Sequence, residues 1–272
     1  MSLHDQAMLA NVENHFERRM APRVAIQLEV ELRLAETPSR LRARSCDIST
    51  GGICVETPGP FALTSLRAIS VQLPDGVVTL SAKGCSQRLD AFGVGHLTGI
   101  QFTNASQMER QRLWEVAQKQ AAKLARFLQD SPDIGDLDLD ESMELARATR
   151  LREVPRARRV YSEGTWRPGE DSVFIVIHGT VVLDARAHRS RDIWLERVGP
   201  RGLFGGVPLI ARVANVESAT AEVDLQLLEI DRFTFRYLEW AKPLVARAVG
   251  CAISRKQVHR VHNLIRRLAD AS

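Results

Sequence analysis

The sequence lacks the signatures by which most enzymes and metalloproteins are recognised. Its four cysteines form no CxxC pair and have no histidine at ligand spacing, which argues against a zinc site or a dithiol redox motif. The seven histidines do not cluster with Cys, Asp or Glu, and no P-loop, GxSxG or HExxH motif is present. We therefore predict that the protein is not an enzyme, and we expect no catalytic residue, no metal and no cofactor.

Long apolar segments are also missing. No run approaches the roughly 18 residues that a membrane-spanning helix needs, and the N-terminus lacks the apolar core of a signal peptide. The cysteines, without a pairing pattern, are interpreted as small buried hydrophobic residues in a reducing compartment. We therefore predict a cytoplasmic protein that makes no contact with a membrane.

What the sequence does contain is typical of globular proteins. Hydrophobic residues make up 44% and charged residues 26% of the 272 positions, so we expect a packed core and room for two domains. The net charge of +4 is modest, and arginine is favoured over lysine. The basic runs are therefore interpreted as solvated faces rather than as a nucleic-acid surface.

The first part of the chain is predicted to be a small antiparallel barrel. Residues 24–34 alternate between apolar and polar side chains, as in a strand with one buried face. Further strand-like runs follow, separated by turns such as Pro-Gly-Pro at 58–60 and Pro-Asp-Gly at 74–76. From 107 to 129, apolar residues recur at helical spacing, which predicts an amphipathic helix that closes this unit.

A second β-rich unit is predicted after an acidic segment that contains Pro and Gly. Residues 129–140 are interpreted as a linker and 141–272 as a second domain that ends in helices. The last helix carries an apolar seam with a 3-4-3 spacing, made of Val258, Val261, Ile265 and Leu268. This seam packs either on its own domain or on a partner helix, so a homodimer through the C-terminal helix is one alternative.

Three arginines lie directly ahead of the first strand. Arg18, Arg19 and Arg23 are separated by only a few residues, and Pro22 stiffens the chain just before Arg23. A planar guanidinium can donate two hydrogen bonds to a phosphate and can also stack on a purine. The cluster therefore suggests recognition of a phosphorylated ligand.

An Asp-x-Ser-x-x-Gly turn follows about two dozen residues later. Asp47 and Ser49 are two positions apart, so in an extended segment both side chains project from one face. A carboxylate placed there can accept hydrogen bonds from N1–H and N2–H of guanine. Gly51 and Gly52 permit a tight turn that leaves the backbone open to a ligand. Together with the arginines, the turn predicts a site for a guanine nucleotide with phosphates.

These two motifs resemble the signature of the PilZ domain, which is RxxxR followed by (D/N)xSxxG. Residues 19–23 match the first element and residues 47–52 match the second. The resemblance covers residues 15–128 and implies a six-stranded barrel that binds the bacterial second messenger cyclic di-GMP.

The same resemblance implies a role for each motif residue. Arg19 and Arg23 would grip phosphate and stack on guanine, and Asp47 and Ser49 would contact the base. Arg18, just outside the motif, would add a further contact. Whether one or two messenger molecules bind is left open.

The second unit resembles a cyclic-nucleotide-binding domain of the catabolite-activator type. Gly164, Gly169, Glu170 and Gly179 fit the pattern with which that family opens. The resemblance implies a jelly roll of antiparallel strands with flanking helices. The fold class expected for the whole chain is therefore mainly β with helices.

The phosphate cassette of this second unit departs from the family pattern. Gly206 stands in the place of the glutamate that binds the ribose, and Val216 or Glu217 stands in the place of the arginine that binds the cyclic phosphate. A carboxylate there would repel the ligand, and Arg212 lies too early to replace the arginine. We therefore expect that cyclic AMP binding is lost.

Transcription factors of this second family continue into a helix-turn-helix module. The sequence ends at Ser272, and its last helix is too short to hold such a module. We therefore expect no direct binding to DNA.

These observations predict a cytoplasmic bacterial receptor for cyclic di-GMP. The messenger would bridge the Arg18–Arg23 loop to the Asp47–Ser49 strand and order a flexible N-terminus (residues 1–14), which would change the domain arrangement or the surface offered to an unknown downstream protein. Two alternatives remain. In the first, the second domain binds another nucleotide, so that the protein is a dual sensor. In the second, the protein is a constitutive adaptor that uses neither pocket.

Overall fold

The computed structural model describes residues 23–35, 40–89, 95–166, 171–186 and 192–270. These residues belong to two compact units that divide between Lys123 and Leu124. The predicted flexible N-terminus, residues 1–14, lies outside the described part of the chain. Among the described residues, no helix is long and apolar enough to cross a membrane.

The first unit is built from seven strands. They are β1 Val24–Ala25, β2 Glu29–Leu34, β3 Leu41–Ile48, β4 Gly52–Thr57, β5 Leu66–Leu73, β6 Gly76–Leu89 and β7 His96–Phe102. Six of them form an antiparallel ring in the order β3-β2-β5-β6-β7-β4, which the pairing of β3 with β4 closes, and β1 is added to β3. The predicted six-stranded barrel is thus confirmed.

Alternation of side chains explains why these segments form a barrel. In β2, Val30 and Leu32 are 1% and 0% exposed, whereas Glu29 and Arg33 face solvent. Each buried aliphatic side chain of this kind stabilises the fold by about 2 kcal/mol relative to its exposed state. Closure also leaves no exposed sheet edge in the ring, because every one of its strands has two neighbours.

The helix α1, Gln107–Gln129, follows the barrel strands. It begins at a capping box, in which Ser106 N donates to Glu109 Oε2 at 2.7 Å and Glu109 N donates to Ser106 Oγ at 3.3 Å. Its apolar face includes Leu113 and Ala117, which are 0% and 2% exposed. The amphipathic helix predicted over 107–129 is present, and the division between the two units falls within it.

In its described residues, the second unit contains two four-stranded antiparallel sheets and four helices besides the end of α1. The strands are β8 Arg150–Val154, β9 Arg159–Tyr161, β10 Val173–His178, β11 Val181–Arg186, β12 Asp192–Val198, β13 Leu203–Gly205, β14 Ser218–Ala221 and β15 Leu225–Ile230. The helices are α2 Leu139–Ala148, α3 Val207–Ala211, α4 Arg232–Ala241 and α5 Pro243–Asp270. The sheet orders are β13-β10-β15-β8 and β12-β11-β14-β9. Stacked rings of Tyr161, Phe174 and Phe204 lie in the core of this unit.

The acidic segment before α2 packs against the second unit. Ile134 and Leu137 are 1% and 4% exposed, the Ser131 hydroxyl donates to the Arg201 carbonyl at 2.7 Å, and Leu203 N donates to Asp133 Oδ2 at 2.8 Å. A linker was expected over 129–140, but these contacts are not those of a free linker. We propose that this segment forms part of the second domain.

A buried carboxylate holds strands of one sheet together. Glu229 of β15 is 2% exposed and accepts hydrogen bonds from Arg150 Nε and Nη2, both at 3.0 Å, and from the Ser172 hydroxyl at 2.7 Å. Burial alone would raise the pKa of Glu229, but the charges of Arg150 and Arg152 outweigh it and lower the pKa to about 2.

This pKa predicts how the second unit loses stability in acid. The charged form of Glu229 stabilises the fold above its unfolded-state pKa, near 4.5, and this contribution falls as the pH drops towards 2. The difference between the unfolded-state and folded-state pKa values corresponds to about 3 kcal/mol of folding stability at neutral pH. We expect the Glu229→Gln variant to be less stable at pH 7 and to show a shallower loss of unfolding free energy between pH 5 and pH 3 in urea titrations. Glu239→Gln, at an exposed ion pair with Arg236, is the control, and an unchanged pH slope in Glu229→Gln would contradict the assignment.

Candidate functional site

The first candidate site lies where β1 pairs with β3. Val24 is paired with Ile48 and Ala25 with Asp47, and the side chains of Val24 and Ala25 are buried. This pairing fixes Arg23 beside Asp47, so that Arg23 Nη1 donates to Asp47 Oδ1 at 2.9 Å. The structure therefore brings together two of the residues that the sequence predicts as ligand contacts.

Ser45 anchors the segment that connects β1 to β2. Leu28 N donates to the Ser45 hydroxyl at 2.8 Å, and that hydroxyl donates to the Ile26 carbonyl at 2.7 Å. Ser45 is 2% exposed, and its two bonds keep the chain that carries Arg23 in register with β3. A small polar residue within a strand carries no sequence signal for this role, so Ser45 is not among the residues that the sequence predicts for the site.

Two thiols flank the carboxylate of Asp47. A bulge in β3 lies between Ser45 and Asp47, and Asp47 is paired with Cys54 of β4. The hydrogen bond between the thiols of Cys46 and Cys54, and then burial, raise the pKa of Cys46 well above its ordinary value, and the charge of Asp47 acts in the same direction. Cys46 is therefore a neutral thiol beside the charged pair.

The expectation that the cysteines are buried is wrong for this fold. Cys46 and Cys54 are half-buried, and Cys85 and Cys251 are exposed, all as free thiols. The alternation of a β-strand explains the error for Cys54, because Ile53 and Val55 on either side of it fill the barrel interior.

Ser49 builds the turn rather than projecting beside Asp47. Its hydroxyl donates to the Gly52 carbonyl at 3.1 Å and accepts from the backbone N–H groups of Gly51 and Gly52 at 3.3 and 3.1 Å. The residue is 5% exposed. The expected shared face of Asp47 and Ser49 is therefore not observed, because Ser49 follows the last residue of β3 and its oxygen bonds locally, as serine does in many turns.

The two glycines of the turn have different surroundings. A methyl group added to Gly52 would lie 2.4 Å from the carbonyl oxygen of Ile100 in β7, whereas nothing lies within 4 Å of the corresponding position at Gly51. Gly52 is thus required by the close approach of β4 to β7. Gly51 instead borders open space next to the turn.

Contacts from α1 and β7 hold this turn in place. Arg110 Nη1 donates to the Thr50 carbonyl at 3.3 Å, and Phe102 N donates to the Gly51 carbonyl at 3.0 Å. The result is a preformed surface made of the Arg23–Asp47 pair and the 49–52 turn. Arg18 and Arg19, which the sequence also predicts as contacts, lie outside the described residues.

The second candidate site is the cassette around α3. Gly206 has φ of +83°, and a methyl group there would lie 2.7 Å from Ile253 Cδ1 and 3.0 Å from Val173 Cβ. There is accordingly no room for a glutamate at this position. Arg212, just after α3, is exposed, and Gly169 and Glu170 of the predicted opening pattern lie outside the described residues.

Glu217 is buried and is paired with an arginine from the last helix. It is 3% exposed, and Arg260 Nη1 contacts both of its carboxylate oxygens, at 2.7 and 2.8 Å. The Tyr161 hydroxyl donates to Glu217 Oε1 at 2.9 Å, while Arg260 Nε donates to Glu196 Oε2 at 2.9 Å. The sequence predicts a repelling carboxylate here, but the charge of Glu217 is balanced within the protein by a residue 43 positions away.

The pKa values in this cluster follow from burial and charge. Burial, followed by the charge of Glu217, raises the pKa of Tyr161 well above its ordinary value, so the phenol stays protonated and remains a donor. Burial would lower the pKa of Arg260, but Glu217 outweighs it and raises that pKa. Burial would likewise raise the pKa of Glu196, but the hydrogen bond from Arg260 and the charge of Lys256 lower it.

No group of His, Cys, Asp and Glu that could hold a metal ion occurs among the residues that the structure describes. The side chains gathered at the first site are instead an arginine, a carboxylate and a glycine-containing turn. These groups suit hydrogen bonding to an anionic, donor-bearing ligand.

Two family models match the chain. Residues 17–118 match the PilZ domain, and residues 151–238 match the cyclic nucleotide-binding domain. The chain therefore contains one domain of each family, and both resemblances drawn from the motifs are confirmed. Both families are binding and regulatory domains.

Curated relatives match part of the chain in sequence. Two CRP-like cAMP-activated global transcriptional regulators, from two strains of Mycobacterium tuberculosis, are 27% identical over 112 residues, which is 41% of this chain and 49% of theirs. This chain thus spans about half the length of the curated relatives it matches.

Solved structures include similar chains. A cyclic nucleotide-binding domain from Methylobacillus flagellatus has a TM-score of 0.49 at 17% identity, covering 57% of this chain and 86% of its own. The catabolite activator protein of Thermus thermophilus has a TM-score of 0.44 at 24% identity, covering 52% and 63%.

The surroundings of the two turn glycines predict opposite effects of alanine. We expect Gly52→Ala to lower the unfolding free energy by at least about 2 kcal/mol, because the added methyl group would meet backbone that cannot move aside. Gly51→Ala should change it by less than about 1 kcal/mol, because the position is open. Chemical denaturation of the two variants checks this prediction, and equal destabilisation would show that the turn is not packed as described.

Proposed function

We propose that the first unit is a receptor for cyclic di-GMP. The observation that carries this proposal is the Arg23–Asp47 pair, with 2.9 Å between Nη1 and Oδ1, next to a turn whose Gly51 borders open space. A guanidinium can bind a phosphate, and a carboxylate can accept from a guanine edge. The arginine can therefore bind the phosphate of a guanine nucleotide, and the aspartate can bind its base.

Arg23 and Asp47 can still bind a ligand while their ion pair is formed. A guanidinium has five N–H donors and a carboxylate has about four lone-pair sites, and the contact at Nη1 and Oδ1 uses one of each. Arg23 and Asp47 are also partly exposed, at 34% and 15% of their side chains. The ion pair thus orients both groups in advance, which lowers the cost of ordering them when the ligand binds.

The remaining motif residues complete this proposal. Ser49 and Gly52 shape the turn, and Gly51 leaves space for the ligand. Arg18 and Arg19 would close over the phosphates from the N-terminal side, as the PilZ resemblance implies. Ligand binding would then select an ordered arrangement of this segment and change a surface that a downstream protein recognises.

We propose that the second unit has a regulatory role that does not depend on binding cyclic AMP. Gly206 has no space for a longer side chain, and the carboxylate of Glu217 is held in place by Arg260 and Tyr161. Arg260 is thus already occupied by an internal carboxylate, and Glu217 offers no positive charge to a cyclic phosphate. Titration with cyclic AMP and cyclic GMP tests this part, and binding of either would instead support a dual sensor.

A specific observation favours a second candidate function, which is docking of a protein partner. On and next to α4, three large apolar side chains are strongly exposed: Phe233 at 48%, Trp240 at 75% and Leu244 at 57%. Exposed aromatic residues of this kind are frequent in protein interfaces. An adaptor would keep its partner when the Arg23–Asp47 pair is removed.

Calorimetric titration of the folded protein with cyclic di-GMP tests the receptor proposal. We expect Arg23→Ala to weaken binding at least thirty-fold, because truncating one partner of a charge-assisted contact costs about 2 kcal/mol or more. Arg19→Ala should weaken it as well, and the stoichiometry separates one bound molecule from two. Arg42→Ala is the matched control, since Arg42 is an exposed arginine of the same strand as Asp47, and its effect should stay within two-fold. Absence of binding by the folded wild-type protein would refute the receptor and leave the adaptor.

We also propose that the chain forms a homodimer through α5. In the second unit, Val258, Val261 and Ile265 are 70%, 57% and 59% exposed, so these three residues of the apolar seam do not pack on their own domain. Their spacing of three and then four residues suits a two-stranded coiled coil. We expect light scattering to give the mass of a dimer for the wild-type chain and of a monomer for Val261→Glu. Val223→Glu, at an exposed valine outside the helix, should stay dimeric, and a monomeric wild-type protein would contradict the proposal.

A further inference from the structure

The helix α5 is attached to the second unit in two different ways along its length. Among the side chains whose burial is described, the buried apolar residues of the helix lie in its first half: Val245, Ala246, Val249, Ala252 and Ile253. After Ile253, among the side chains whose burial is described, the buried residue is Arg260, at 6% exposure. Fully buried apolar side chains therefore fix residues 243–253, while the described apolar side chains beyond them are at most half-buried, as Leu264 is.

Polar contacts attach the second half. Arg255 Nη1 lies 3.1 Å from Asp136 Oδ2, and Lys256 Nζ lies 3.4 Å from Asp133 Oδ2 and 3.5 Å from Glu196 Oε1. Near the end of the helix, Arg267 Nη1 donates to the Trp194 carbonyl at 3.1 Å. Arg255 and Arg267 are on the surface, where such contacts contribute at most about 1 kcal/mol each.

Arg260 is the deepest of these attachments. Its guanidinium joins two carboxylates, Glu217 immediately before β14 and Glu196 in β12. Glu217 in turn receives the hydroxyl of Tyr161 from β9. One side chain of the helix is thereby connected to three strands of the same sheet.

We infer that Arg260 and Glu217 form a latch that holds the C-terminal half of α5 on the second unit without any ligand. In the closed state, the two buried charges balance each other. In the open state, residues 254–270 leave the sheet and both charges return to water, and among the described apolar side chains beyond Ile253 only the half-buried Leu264 loses contact. A buried ion pair gains little over its hydrated ions, so the two states are close in free energy, as a switchable element requires.

Removing one partner of the latch should open it. In Glu217→Gln, the guanidinium of Arg260 loses its bidentate partner, and in Arg260→Gln, Glu217 keeps a buried negative charge without its cation. A buried charge without a counter-charge is strongly unfavourable, and opening relieves it. We expect backbone amides of residues 256–268 to exchange hydrogen at least tenfold faster in the full-length variants, while those of residues 245–253 stay unchanged.

Two further variants make the test specific. Arg255→Gln removes an exposed ion pair from the same helix and should change exchange at residues 256–268 by less than two-fold. The double variant Glu217→Gln/Arg260→Gln has neither charge. Its fold-increase in hydrogen exchange at residues 256–268 should therefore be smaller than the product of the fold-increases in the two single variants.

Several results would overturn the latch. These are unchanged exchange at residues 256–268 in both single variants, an equal increase over 245–253, or single effects that simply multiply in the double variant. If a single variant does not fold, Arg260→Lys replaces it, since lysine keeps the charge but cannot donate to both carboxylates with a planar fork. Exchange at residues 256–268 should then rise several-fold, and wild-type protection in Arg260→Lys would likewise rule the latch out.

Discussion

Pairing between β3 and β4 is the contact on which the first unit depends. It closes the six-stranded ring, and it places Asp47 and the 49–52 turn at the same end of two adjacent strands. The addition of β1 to β3 then brings Arg23 to Asp47. Gly52 permits this closure because β4 passes so close to the Ile100 carbonyl that no side chain fits between them. The Arg23–Asp47 pair and the 49–52 turn are thus positioned by barrel closure.

The structure of the second unit depends on a different feature, which is the pairing of two buried carboxylates with arginine. Glu229 and Glu217 are 2% and 3% exposed, and each is matched by arginine that can donate two hydrogen bonds to one carboxylate. Glu229 is held by Arg150 of the neighbouring strand in its own sheet. Glu217 is held by Arg260 of a helix. The first pair therefore stabilises a sheet, while the second ties a helix to a sheet.

Local sequence patterns predicted the features that depend on local geometry. Alternation in residues 24–34 indicated a strand, and the spacing of the arginine and Asp-Ser motifs indicated the site at which Arg23 and Asp47 meet. The roles of Ser45 and Ser49 could not be predicted, because the neighbouring sequence is the same whether a serine contacts a ligand or forms hydrogen bonds with the backbone. In the acidic segment, charge together with Pro and Gly indicated a linker, although Ile134 and Leu137 are buried and the segment is hydrogen-bonded to residues 70 positions away.

The Glu217–Arg260 pair was the least accessible to sequence reasoning, and its geometry argues against simple loss of a ligand site. If the phosphate-binding arginine of the family had merely decayed, a neutral side chain at the same position would cost less than a carboxylate, since a buried charge is unfavourable without a partner. Glu217 instead has a bidentate arginine and a tyrosine hydroxyl, both with donor distances below 3 Å. Three residues from a strand, a loop and a helix must coincide to achieve this. The arrangement is therefore a complete internal interaction, in which a buried carboxylate, a guanidinium and a phenol connect the last helix to the sheet.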